Sequence, residues 1–192
     1  MESQTPSPAL MTASRDSPTS QFDRHNRRAH DVIVRRAEPS EIAALARIWH
    51  DGWHDAHAAL VPEVLVRVRT LENFEERMTA GIDAVWVAAD RGAPLGFYVL
   101  NGDELDLLFV AAESRGTGVA ITLLEDAERR LRDGGTETAW LACVIGNERA
   151  ARFYEKSGWR RVGSAVERSE SAAGIFDVSV WRYEKRPPSS PS

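Results

Sequence analysis

The run Val110-Ala111-Ala112-Glu113-Ser114-Arg115-Gly116-Thr117-Gly118-Val119-Ala120 joins an apolar stretch, Leu105 to Val110, to the amphipathic stretch Ile121 to Arg132. The first reads as a buried strand and the second as a helix. A strand that passes through a short glycine-bearing loop into a helix aims several backbone N–H groups, and the positive end of the helix dipole, at one point in space. Such a point binds an anion, most often phosphate. The dinucleotide fingerprint G-x-G-x-x-G is not met, because Ile121 stands where its third small residue belongs. A P-loop is not met either, since no Gly-Lys-Ser/Thr follows. What remains is Arg115-x-x-Gly118-x-Ala120, with Gly116, Thr117 and Val119 completing the loop.

That pattern resembles the pyrophosphate-binding motif Q/R-x-x-G-x-G/A of the GNAT superfamily of N-acetyltransferases. A second block, Asn147-Glu148-Arg149-Ala150-Ala151-Arg152-Phe153-Tyr154-Glu155-Lys156-Ser157-Gly158-Trp159, resembles that family's N-x-x-A-x-x-F-Y-x-x-x-G-F/W. The two stand in the family's order, and the resemblance spans roughly Val32 to Tyr183. It implies an α+β fold: a central mixed, mostly antiparallel sheet, splayed between its fourth and fifth strands, with helices on both faces. It implies acetyl-CoA as cosubstrate, with Arg115 to Ala120 on the pyrophosphate. The N–H of Val110 would hold the thioester carbonyl, and the strand edge around Phe109 would pair with pantetheine amides. Asn147, with Ala150 beside it, would meet the pantetheine arm, although Asn147 is also a plausible N-cap of its own helix.

Acetyl transfer from a thioester to an amine needs a neutral amine, a stabilised oxyanion and a proton for the leaving thiolate. An alkylammonium with a pKa near ~10 is only about 0.1% neutral at pH 7, a cost of roughly 4 kcal/mol. A carboxylate acting through water can take that proton. Alternate strand residues share a face, so Glu104, Asp106 and Leu108 are expected to point the same way. Glu104 and Asp106 are the base candidates, Glu104 the favoured one, and the resemblance puts the family's base at matching positions. It also puts the family's general acid at Tyr154, whose phenol is protonated at neutral pH. Phe153 suits a packing role. No activated Ser or Cys nucleophile is evident, so direct transfer in a ternary complex is expected.

His50-Asp51-Gly52-Trp53-His54, with His57 beyond, imitates the zinc motif H-E-x-x-H. Gly52 weakens the helix, and Asp is one methylene short of the usual base, so no metal is expected. The family layout instead makes the first helices a wall of the acceptor pocket, with Trp53, His54 and His57, and also Trp49, as candidate acceptor contacts.

The elements that must position these residues follow from periodicity. The 192 residues are enough for one domain with a sizeable core. Met1 to Asp31, rich in Ser, Thr, Pro and charge, is expected to be a disordered tail, residues 32–185 the folded domain, and 186–192 a second tail. A strand is expected at Val32–Arg36, then a helix toward His50 capped by Ser40, and a helical region over Pro62–Ala80. Strands follow at Ala84–Ala89, Gly96–Asn101 and Leu105–Val110, with turns at Asp90-Arg91-Gly92 and Asn101-Gly102-Asp103. A helix ending at Gly134-Gly135, a strand at Thr138–Val144, a helix at Glu148–Lys156 and a long closing hairpin complete the order. A formal net charge of -5 argues against nucleic-acid binding driven by bulk charge. No apolar run reaches membrane-spanning length, and the N-terminus lacks a signal core, so a cytoplasmic enzyme is expected. The single cysteine, Cys143, reads as a small buried hydrophobe. The expected acceptor is a small-molecule primary amine, with protein N-termini or a non-catalytic acyl-CoA-binding role as alternatives. A monomer or homodimer is expected.

Overall fold

The computed structural model describes residues 32–171 and 173–187. The expectations for Met1–Asp31 and for the last five residues lie outside the described residues. In chain order the elements are β1 (Ile33–Arg36), α1 (Ile42–His57), α2 (Glu63–Val68), α3 (Leu71–Gly81), β2 (Val85–Asp90), β3 (Ala93–Asn101), β4 (Glu104–Val110), α4 (Val119–Asp133), β5 (Ala139–Val144), α5 (Glu148–Lys156), β6 (Arg160–Ser171) and β7 (Gly174–Lys185).

The strands form one sheet in the order β1-β2-β3-β4-β5-β7-β6. Every neighbouring pair is antiparallel except β4 with β5. That α+β architecture, mixed and mostly antiparallel, is the expected one. One face carries α4 and α5, whose Leu123, Leu124, Ala127 and Ala151 bury against Tyr98, Leu105, Leu141 and Tyr183. The other carries α1 and α3, whose Leu45, Trp49, Phe74 and Met78 bury against Val85, Val87 and Phe97.

Local chemistry explains most element ends. Arg91 and Gly92, at φ 49 and 85, close the β2–β3 hairpin in the left-handed region that such a two-residue turn requires. Ser40 does not cap α1. A single 3-10 turn, Pro39–Glu41, precedes the helix, and its Glu41 carboxylate accepts from the Glu38 N–H at 2.9 Å. Arg35 holds the same carboxylate at 2.8 and 2.9 Å. The helical region after Pro62 is two helices, because Thr70 takes an extended backbone and its hydroxyl accepts from the Asn73 N–H, which caps α3. Helix α1 runs unbroken through Gly52, where packing explains the residue. A Cβ there would lie 2.8 Å from Cδ1 of Phe109, so glycine lets α1 sit directly on β4.

Two irregularities shape the middle of the sheet. The parallel β4–β5 pairing is confined to Glu104 opposite Trp140, with the Trp140 N–H donating to the Asp103 carbonyl at 3.1 Å. Beyond that point the strands diverge. In addition, Val99 pairs with Leu107 while Leu100 pairs with Leu105, so Asp106 is an extra residue, a bulge in β4. The bulge corrects the expected alternation. Leu108 packs toward α4 and Leu107 toward α1, and Asp106 lines the cleft on the α1 side.

Candidate active site

The divergence of β4 from β5 opens a cleft of about 450 Å³, lined by α1, the α2–α3 turn, β4, β5, α5 and the β6–β7 hairpin. Its β4 wall is a strand with one edge unpaired. The N–H of Ala111 donates to the Leu95 carbonyl of β3 at 2.9 Å. Amides alternate in direction along a strand, so the N–H groups of Val110 and Leu108 turn toward the cleft. Phe109 and Val110 both line it.

At one end lies the glycine loop. Gly116 and Gly118 have φ 75 and 97, and Gly118 is the N-cap of α4. The first α4 amide to reach a carbonyl of this turn is that of Thr122, which donates to the Gly118 carbonyl at 3.0 Å. The amides of Val119, Ala120 and Ile121 therefore point out of the helix end, as an anion site requires. A Cβ at Gly118 would meet nothing within 4 Å, so the protein itself leaves the space beside this loop open. Arg115 and Arg149 approach from two sides and both donate to one carboxylate oxygen of Asp55, at 2.8 and 2.7 Å. The Arg149 bond chiefly, then the charges of both arginines, hold Asp55 below the ordinary carboxylate range. Two guanidinium groups sharing one carboxylate leave this end net positive. Free amides, open space and surplus positive charge fit a pyrophosphate.

The β5–α5 wall holds Asn147, Ala150, Cys143 and Tyr154. Asn147 is the N-cap of α5, its Oδ1 accepting from the Ala150 N–H at 3.2 Å, which leaves its amide NH₂ to donate into the cleft. Among the described residues, the Tyr154 hydroxyl has no hydrogen-bond partner. Burial, and to a lesser degree Cys143, pushes that phenol above its ordinary value, so it stays protonated. The Cys143 thiol is pushed up to about 11 by burial and by Glu148, so it is an inert thiol, as its sequence context suggested.

At the other end, carboxylates gather: Asp106 and Glu167 line the cleft, whereas Glu104, the favoured base, lies outside that lining and reaches it only as a neighbouring charge. Glu104 is raised to about 7, by burial first, then by Asp106 and Glu167, with Arg182 opposing. Asp106 is also raised, by burial first, with Arg77 opposing and Glu167 reinforcing. Asp106 lines the cleft and is exposed to solvent there. The charges of Asp106 and Glu167 thus both act on Glu104, and that of Glu167 on Asp106.

The aromatic wall is mixed. Trp49 is largely core, its ring 5.1 Å from that of Phe74, and it touches the cleft at one edge. Trp53 and His57 line the cleft with their rings 5.7 Å apart. Burial pushes His57 down to about 4, so it is neutral at pH 7. His54 departs from the expectation: its Nε2 lies 2.7 Å from the carbonyl of Arg69, tying α1 to the α2–α3 turn away from the cleft lining. His50 pairs with Asp51 at 2.7 Å, so the three histidines of α1 go to three different partners or environments. Asp55, Arg149, Arg69, Arg77, Glu167 and Ser169 join the site without having been expected from the sequence. Only Arg149 carried a signal, its place in the second motif.

The comparisons with known proteins bear on the family and the fold. Residues 54–173 match the family described as Acetyltransferase (GNAT) domain. The chain is 35% identical over 140 residues to the peptidyl-lysine N-acetyltransferase YjaB of Salmonella typhimurium, covering 69% of this chain and 86% of that one. Its fold is similar to that of a GCN5-related N-acetyltransferase from Rhodopseudomonas palustris, with a TM-score of 0.65 at 19% identity over 81% of this chain and 95% of the other. It is similar also to the PaiA N-acetyltransferase of Thermoplasma acidophilum in complex with coenzyme A, with a TM-score of 0.61 at 18% identity over 81% and 98%.

Proposed function

Because the chain belongs to the GNAT superfamily of acetyl-CoA-dependent N-acetyltransferases, we propose that it moves an acetyl group directly to the primary amine of a small molecule in the cleft between β4 and β5. The observation that carries this reading is the unpaired β4 edge. There the Val110 N–H, the Tyr154 hydroxyl and the Asp106 and Glu167 carboxylates all address one cleft.

Each residue then has a task. The loop Arg115 to Ala120, with its glycines Gly116 and Gly118, Thr117 and Val119, receives the pyrophosphate on backbone amides. Phe109 and Val110 offer the β4 edge to the pantetheine, and Asn147 and Ala150 flank it from α5. The Val110 N–H donates to the thioester oxygen and stabilises the negative charge that grows there as the amine attacks. Glu104, coupled to Asp106 and Glu167, accepts the ammonium proton through water; a value near 7 suits a base at neutral pH. Tyr154 donates to the departing thiolate. A phenol is ordinarily a weaker acid than a thiol. The burial that raises the neighbouring Cys143 thiol to about 11 raises a thiolate leaving beside it and the phenol alike, so the transfer stays uphill and the hydroxyl acts as a positioned proton donor. Trp53 and His57 supply the neutral wall against which the acceptor packs.

A second reading has one observation behind it: the relatives from Salmonella typhimurium and Escherichia coli are peptidyl-lysine N-acetyltransferases. The deciding experiment measures thiol release from acetyl-CoA with a panel of small amines and lysine-containing peptides. Release that needs a small amine supports the proposal. Release with peptides alone replaces the small molecule by peptidyl-lysine, and no release with any amine refutes the transfer reading. Among the described residues, no helix is long and apolar enough to cross a membrane.

A further inference from the structure

Two cations in the acceptor half of the cleft, Arg69 and Arg77, have no part in the transfer chemistry. Arg69 is 5% exposed. It donates to Asn73 Oδ1 at 3.0 Å, to Ser169 Oγ at 2.9 Å and to the Glu170 carbonyl at 2.9 Å. All three acceptors are neutral, and its buried Nε finds none. Among the described residues no carboxylate accepts from Arg69. Elsewhere in this protein a partly buried arginine is paired: Arg35 has both oxygens of Glu41. A guanidinium withdrawn from water without an anion is costly unless something charged completes its surroundings. Arg77, stacked 4.3 Å over Trp49, feels the charge of Arg69 on one side and that of Asp106 on the other. Asp106 therefore offsets Arg77, and Arg69 is left without an acid.

Strand β6 relates this cationic end to the acidic one. Glu167 and Ser169 are alternate residues and share a face, about 7 Å apart. Glu167 faces the Glu104 and Asp106 carboxylates, and Ser169 holds Arg69. The acceptor half of the cleft thus has a negative end and a positive end one strand repeat apart. We propose that the acceptor carries a carboxylate a few bonds from the amine it offers, an amino acid rather than a plain alkylamine, with Arg69 anchoring that carboxylate. The inference rests on the acetyl-transfer reading and narrows its substrate class. Asp106 and Glu167 meet the ammonium, with Glu104 behind them as a further negative charge, and Arg69 meets the carboxylate. Arg77 lies between them, neutralised in part by Asp106.

The test compares free L-amino acids with their carboxamides, which keep the side chain and lose the negative charge. The carboxamide's amine is also less basic, which favours its acetylation, so a preference for the acid is a conservative readout. Two readouts are taken: kcat/KM from thiol release with acetyl-CoA, and affinity by calorimetry on the protein saturated with CoA. The expected result is at least a tenfold preference for the acid in both. Arg69→Met should lower kcat/KM for the acid at least tenfold and erase the preference, and Arg69→Lys should restore part of it. If the acid binds preferentially but is never acetylated, the anchor stands and the transfer reading falls. If amines are acetylated but the carboxamide serves as well as the acid, the anchor is overturned and the transfer reading stands. Neither binding nor acetylation overturns both. The wild-type comparison decides even if Arg69→Met does not fold.

Discussion

Replacing Glu104 by Gln removes the carboxylate raised to about 7 and keeps the side chain's size. If Glu104 is the base, wild-type kcat should climb tenfold per pH unit below pH 7, where the fraction ionised grows, and level off above it. In Glu104→Gln only the spontaneously neutral fraction of amine reacts, and that fraction keeps climbing tenfold per unit toward a pKa near ~10. Below pH 7 the two rates rise in parallel, so the ratio is constant at about 10², the lower range for general base catalysis. Above pH 7 the ratio should shrink about tenfold per unit and nearly vanish by about pH 9. The assay is kcat by thiol release from pH 5.5 to 9.5 at saturating acetyl-CoA. A break near pH 7 that survives in Glu104→Gln would assign the titration to another group and refute this role for Glu104. The linked stability has a definite sign. A carboxylate raised in the folded state makes the protein less stable as pH rises from the unfolded value near 4.5 through about 7. Glu104→Gln should therefore gain in Tm relative to wild type at pH 8 and not at pH 4.

Gly118→Glu should abolish acetyl-CoA binding by calorimetry while circular dichroism stays unchanged, because φ 97 disfavours any side chain and the new carboxylate repels pyrophosphate; unchanged affinity would refute the assignment of the loop. Gly52→Ala gains roughly 1 kcal/mol of helix propensity. It also drives a Cβ to 2.8 Å from Phe109, whose ring is held by Trp49 and Phe97. Overpacking typically costs about 1–3 kcal/mol, so urea unfolding should show a net loss near 1 kcal/mol, and a stabilised variant would contradict the close packing of α1 on β4. Asp55→Asn should tighten acetyl-CoA binding several-fold at low salt by freeing Arg115 and Arg149, with the gain lost in high salt; weaker binding would show instead that Asp55 positions the arginines.

The parts of the site that were legible in the sequence are those written in consecutive residues. Arg115 to Ala120 needs only a strand, two glycines and a helix, and Asn147 to Trp159 is a single capped helix with its end. The splayed sheet followed from those two blocks through the family they resemble. What was not legible depends on contacts between distant residues. Arg69 meets Ser169 and Glu170 only once the hairpin folds over the α2–α3 turn. Asp55 meets Arg149 only when α1 and α5 close on the same loop. The bulge at Asp106 comes from the register with β3, so period-two reasoning along β4 alone put Leu108 on the wrong face. Gly52 looked like a helix weakness because Phe109, the residue that needs its space, lies on another element. His54 looked like a pocket residue because α1 was right, but its ring is used by the Arg69 carbonyl.

The central claim is that the cleft between β4 and β5 performs the transfer, with Tyr154 protonating the departing thiolate. Tyr154→Phe tests it most directly, since the ring still packs near Phe153, Trp159 and Tyr183 and only the hydroxyl is lost. With an acceptor that the wild-type protein acetylates, kcat should fall by about 10² or more. The KM for acetyl-CoA should stay nearly constant, because the hydroxyl acts in the transition state. A fully active Tyr154→Phe would contradict the account.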